Sequence, residues 1–275
     1  MTNMRLDEVA HDALSKLDLA GDSDEDRRAA ITVAEPIVLA AIAETRWDLV
    51  FDLAVALADA YADDSEGDSR RREWADVAVS AARSLEGDDG GPSTIAALDR
   101  LGRAQLDAAR DTTDLESAHT TYLQAVEVAE RVYGPEGEPL IDLLLCAGTG
   151  AAPDFAVDLA TRALDLAEQH ERPLLPVLLE VTSAMIEAER AEDAVPYAMR
   201  AVELAEQDED EDDAAPHGLL AQALLDSGRP VEAREVIDRV PVDDEPWLSE
   251  LKTRILASLE QVTRSRSRPL ETRRR

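Results

Sequence analysis

Apolar residues recur along this chain at intervals of three and four, the period of a helix with one buried face, and nowhere do they alternate with period two over a useful length. Glycine and proline punctuate the helical blocks at Gly87 to Pro92, Gly134-Pro135, Gly148 to Pro153, Pro173, Pro176, Gly228-Arg229-Pro230 and Pro241, where they read as helix stops and starts. Pro36 and Pro196 interrupt otherwise helical text, so each either opens a helix or kinks one. The predicted elements are therefore helices alone, and they come in pairs.

The second helices of the pairs share a pattern. Ala75-x3-Val79-x2-Ala82 returns as Ala118/Tyr122/Ala125, Ala156/Ala160/Ala163, Ala194/Ala198/Ala201 and Ala233/Ile237/Val240, and the leading alanines are 43, 38, 38 and 39 residues apart. A small, larger, small triad at i, i+4, i+7 occupies one helix face and lets two backbones approach closely. Such a face needs the next pair to stack upon, so five copies in register predict a repeat array.

These residues resemble the tetratricopeptide repeat, whose motif sets W-x2-L-G-x2-Y on a first helix before A-x3-F on a second. The copy at about 95–133 supplies Leu98, Leu101, Gly102 and Gln105, then Ala118, Tyr122 and Ala125; the copy at about 214–245 supplies His217, Leu220, Ala221 and Leu224, then Ala233 and Ile237. Leu140, Leu143, Leu144, Ala147 and Ala156 carry one register between them, and Leu178, Val181, Thr182, Met185 and Ala194 another. The stretch Ala125 to Glu136, ending Gly134-Pro135-Glu136, is similar to kinesin-light-chain-type repeats, although Gly137-Glu138-Pro139 lacks their histidine. The period is nearer 38 than 34 and the first-helix aromatics are absent. The resemblance implies an all-α, right-handed α-α superhelix (a TPR-like solenoid) of about five helix pairs. Residues 1–46 form an N-terminal helical segment, a cap or degenerate repeat; residues 47–262 are the solenoid, closed by a capping helix from Pro246-Trp247; residues 263–275 are an Arg-rich disordered tail.

Composition narrows the role. Lys+Arg total 28 against Asp+Glu 60, for a net charge of −32, and Lys16 and Lys252 are the only lysines. An acidic excess with so few lysines resembles cytosolic proteins of salt-accumulating halophiles, in which molar salt screens the carboxylates from one another. So acidic a surface repels phosphate backbones and anionic membranes. The Arg264–Arg275 tail is the exception, with six arginines and one glutamate for a net +5, leaving −37 on the other 263 residues. It reads either as a segment lying over the acidic body or as a contact for nucleic acid or an acidic partner. The N-terminal residues lack an apolar signal core, and no uncharged stretch approaches a membrane span, which points to a cytoplasmic protein.

Candidate chemistry is sparse. Cys146 is the single cysteine and sits in the apolar run Leu143 to Ala147, where a buried structural thiol is expected. His11, His119, His170 and His217 are scattered, with no pair at metal-ligand spacing, and no phosphate loop, dinucleotide fingerprint or nucleophile elbow occurs. Asp22-x-Asp24-x-Asp26 has three calcium-loop positions, but Arg27 replaces the required glycine and Val33 the closing glutamate; Asp208 to Asp213 fails likewise. No cofactor, metal or catalytic residue is expected.

In a stacked array the first helices line the concave side, and their residues not used in packing face a groove. By register these are Asp99, Arg103 and Leu106; Ile141, Asp142 and Leu145; Leu179, Glu180, Ser183 and Ile186; and Leu219, Gln222 and Leu225. An apolar strip edged by Asp142, Glu180 and Asp226 suits a peptide or helix with basic flanks. With no lysine or asparagine between residues 17 and 251, capture of a terminal carboxylate, a mode of some tetratricopeptide domains, is not expected. The reading is a non-catalytic protein–protein interaction scaffold. Two alternatives remain: a regulatory adaptor whose tail contacts nucleic acid or an acidic partner, and an enzyme whose site no motif reveals.

Overall fold

The computed structural model describes residues 3–20, 23–62, 67–110, 112–207, 214–240 and 245–267, without the side chains of 3–5 and 262–267. Every regular element among them is a helix. In chain order these are α1 (Asn3–Leu19), α2 (Asp24–Ala43), α3 (Trp47–Ala60), α4 (Asp68–Glu86), α5 (Pro92–Asp107), α6 (Thr112–Tyr133) and α7 (Leu140–Gly148). Then follow α8 (Pro153–Gln169), α9 (Leu174–Glu187), α10 (Ala191–Ala205), α11 (Ala214–Asp226), α12 (Pro230–Ile237) and α13 (Pro246–Ser267). The expected second helices 75–82, 118–125, 156–163, 194–201 and 233–240 fall on α4, α6, α8, α10 and α12, the last running just past the helix end. Pro36 and Pro196 lie inside α2 and α10. α13 carries helical backbone through Ser267, the first four residues of the Arg-rich segment included; residues 268–275 lie outside the described residues, as do Asp22 and the run 208–213.

The chain forms two compact units, Met1–Ala151 and Ala152–Arg275. In the first, each helix packs on the next, and α1 also touches α3, and α3 touches α5. In the second, successive helices again pack, and α9 touches α11, and α11 touches α13. Odd-numbered helices thus touch one another directly, α1, α3 and α5 in the first unit and α9, α11 and α13 in the second.

The small-residue triads make this packing possible. All fifteen triad residues are buried, Ala75, Ala82, Ala118, Tyr122, Ala125, Ala163, Ala194, Ala198, Ala201, Ala233 and Ile237 completely. At Ala118/Tyr122/Ala125 the facing residue is Gly102 of α5, where an added Cβ would stand 2.5 Å from the Tyr122 ring. A glycine in mid-helix costs about 1 kcal/mol against alanine, and burying an aromatic ring returns about 2–3 kcal/mol. The ring wins, and its hydroxyl donates to the Asp99 carbonyl at 3.4 Å.

Several turns end a helix with one left-handed residue. Thr45, Glu171, Glu189 and Gly228 have φ of 55°, 54°, 58° and 80°. In each case the next residue, Arg46, Arg172, Arg190 or Arg229, donates its N–H five residues back, closing the turn that satisfies the helix's last carbonyls. Only Gly228 announces such a turn in sequence; the other three hold a side chain where glycine is favoured. The following arginine often ties down the next helix: Arg190 Nε meets Asp193 at 3.1 Å, and Arg229 Nε meets Glu232 at 2.8 Å.

Two outcomes test this account. Gly102→Ala lowers stability by about 1–3 kcal/mol despite its better helix propensity, because the new methyl enters the ring; Gly102→Ala with Tyr122→Leu recovers part of the loss in thermal unfolding. Glu189→Gly raises stability by about 1 kcal/mol by removing the left-handed Cβ, and no gain in urea midpoint would refute the assignment.

Candidate functional site

The residues expected to face a groove fall on the odd-numbered helices and divide between the two units. In the first unit, α5 carries Asp99, Arg103 and Leu106, and α7 carries Asp142 and Leu145. Leu106 and Leu145 are half-buried, and Arg103 and Asp142 exposed. Arg103 Nε donates to both Asp99 carboxylate oxygens, at 3.1 and 3.2 Å, and Asp99 holds the guanidinium above its ordinary value. Cys146, the Tyr122 hydroxyl, Asp99 and Arg103 lie within one another's electrostatic reach, and Asp142 is felt at Cys146. The Asp99–Arg103 pair of α5 thus lies near Cys146 of α7.

Cys146 is half-buried rather than sealed in the core as expected, because it stands at the edge of the α7 face whose centre is Leu143, Leu144 and Ala147. Burial pushes its thiol up, and pushes the Tyr122 phenol up more strongly. Neither group is ionised at neutral pH, so the cluster offers hydrogen bonding and shape but no activated nucleophile. Ile141 does not face solvent: it is 3% exposed and packs as core, because α7 has only nine residues and buries five of them.

In the second unit, Leu179, Ser183 and Ile186 of α9 and Leu219, Gln222 and Leu225 of α11 are half-buried, and Glu180 is exposed. Surrounding protein atoms and the Glu187 carboxylate push the Glu180 carboxyl above the ordinary glutamate range. Gln222 and Asp226 are engaged by the capping helix: Arg254 of α13 donates to Gln222 Oε1 at 2.9 Å and to Asp226 at 3.2 Å. This contact joins residues 28 and 32 positions apart, and the sequence signals it only as an arginine on the cap one repeat after the acid. Arg100 with Asp59 at 3.2 Å makes a similar repeat-to-repeat tie, as does Arg131 with Asp89, also at 3.2 Å.

His119 and His217 serve packing. His119 Nδ1 lies 2.5 Å from the Ala147 carbonyl and joins α6 to the end of α7. His217 is 3% exposed, with Nε2 3.6 Å from Glu206. Among the described residues no group of three or more His, Cys, Asp or Glu is placed to hold a metal ion, and no helix is long and apolar enough to cross a membrane.

No protein-family model matches the chain. No curated protein matches it either. Solved structures do. The chain is similar to the putative kinesin light chain nearly identical TPR-like repeats of Podosopora anserina, at 16% identity and a TM-score of 0.57 over 80% of this chain and 97% of that one. It is also similar to BtubC (BKLC) from P. vanneervenii, at 13% identity and a TM-score of 0.59 over 98% and 96%. The fold is an all-α, TPR-like helical repeat.

Glu180 provides a test of the site's electrostatics. Its carboxyl is raised in the folded state, so the protonated form is favoured there and stability is lost as pH rises from the ordinary glutamate value through the folded one. Glu180→Gln therefore raises the melting temperature at pH 7, and the difference from wild type closes as pH falls below the ordinary glutamate range.

Proposed function

We propose that the chain is a non-catalytic protein-interaction scaffold that holds a peptide or helix of a partner against its odd-numbered helices. The observation that carries this reading is that each unit presents half-buried aliphatic side chains beside carboxylates on the same helices, Leu106 and Leu145 in the first unit and Leu179, Ile186 and Leu225 in the second. The even-numbered helices bury their alanine faces, leaving the odd-numbered ones to present side chains that the repeat itself does not need. A TPR-like fold supports the same reading by analogy of architecture.

The polar groups decide what kind of partner fits. Arg103 is already paired with Asp99, and Arg254 with Asp226, so acceptors outnumber free donors along both strips. Asp142, Glu180 and Glu187 favour a partner with aliphatic anchors and flanking lysine or arginine. The raised thiol and phenol of the first strip give no support to an acyl- or phosphoryl-transfer site.

Purification from the native cell at its own salt concentration tests the proposal, with wild type beside Leu145→Arg, Leu179→Arg and the double variant. A stoichiometric partner is expected to bind each single variant about 10- to 30-fold more weakly, the cost of losing one interface anchor, while helical content by circular dichroism is unchanged. A partner indifferent to both substitutions overturns the proposal.

A further inference from the structure

α10 and α12 both lean on α11, and a cleft of about 320 Å³ opens between them on the side away from the strips described above. Its floor is aliphatic: Val202 from α10, Leu220 and Leu224 from α11, and Val236 from α12. Met199 stands at the lip with 49% of its surface exposed. The rim is acidic. Glu203, Glu206, Glu232 and Glu235 line it against two guanidiniums. Arg229 is bound to Glu232, and Arg239 is 4.0 Å from Glu206. Glu203 and Glu235 have no cation among the described residues, and the rim carries a net −2.

An aliphatic floor inside an anionic rim calls for one apolar side chain between cations. The chain holds such a segment in Arg268-Pro269-Leu270-Glu271-Thr272-Arg273-Arg274-Arg275, where Leu270 is the only large aliphatic residue. Its own copy does not reach. α12 and α13 are consecutive helices that pack together, run antiparallel across a short connection, and are tied by Lys252 Nζ to Asp238 at 2.9 Å. From Lys252, α13 continues to Ser267, ~22 Å at 1.5 Å per residue, while α12 spans ~12 Å. The end of α13 therefore stands ~10 Å past the end of α12. From Ser267, Leu270 extends at most ~10 Å, too little both to return that distance and to cross α12, whose diameter with side chains is itself ~10 Å.

We propose that the C-terminal segment 268–275 of a second copy of this chain docks in the α10–α12 cleft, with Leu270 on the aliphatic floor and its arginines on Glu203 and Glu235. Self-association through this contact leaves the strips of the odd-numbered helices open, so it stands whether or not they bind a partner.

The test uses the full chain, a chain ending at Ser267, and a synthetic peptide of residues 264–275, all in molar KCl. Sedimentation of the full chain is expected to show concentration-dependent association that the shortened chain lacks. The peptide is expected to saturate the shortened chain at one per molecule, and to bind at least 10-fold more weakly after Leu270→Asp in the peptide or Glu203→Arg with Glu235→Arg in the chain. Three results overturn the proposal: a full chain monomeric at every concentration, association that survives removal of 268–275, or peptide binding indifferent to Leu270→Asp, which would be charge attraction alone.

Discussion

Close approach of helix backbones over alanine-lined faces is the constraint on which the rest of this structure depends. With only nine aromatic residues in 275, large side chains are too few to fill wide gaps between helices. The helices come close enough for alanine, valine and leucine to interdigitate, and five small-residue triads supply the surfaces that allow it. Tyr122 is the one large ring set fully into such a face, and Gly102 opposite makes the room.

That constraint has a consequence for the surface. Alanine faces are spent on packing, so the even-numbered helices present mostly charge outward, and the odd-numbered helices retain half-buried leucine and isoleucine beside acids. The same geometry makes the cleft in the second unit, because two even-numbered helices that lean on one odd-numbered helix leave a gap above it. Arginines then join one repeat to the next. Arg100 to Asp59, Arg131 to Asp89 and Arg254 to Asp226 are exposed or partly exposed pairs worth at most about 1 kcal/mol each. They set register and neutralise local acid; the triads hold the fold.

Several partly buried polar groups are committed to structure: His119 to the Ala147 carbonyl, Tyr122 to Asp99, and Glu86 to the Ser93 and Thr94 amides, at 2.8 and 2.9 Å, at the start of α5. The Glu86 carboxylate is desolvated there, yet those donors hold it below its usual range. The His119 and Glu86 contacts fix helix ends, the latter at the start of α5, whose N-cap Gly91 offers no side-chain cap.

Sequence by itself determined the helical class, the pairing, the repeat register and which helix faces are buried, because a 3.6-residue period and a small-residue triad are local features that any stacked partner must respect. It also located Gly228 as a turn. Tertiary structure decided the rest. The left-handed turns at Thr45, Glu171 and Glu189 carry no glycine to reveal them. Ile141 became core because α7 is short. Gln222 and Asp226 were claimed by Arg254 from the next repeat, and Cys146 came to the edge of a polar cluster. Each depends on contacts between residues tens of positions apart, and no local pattern records the distance at which two helices come to rest.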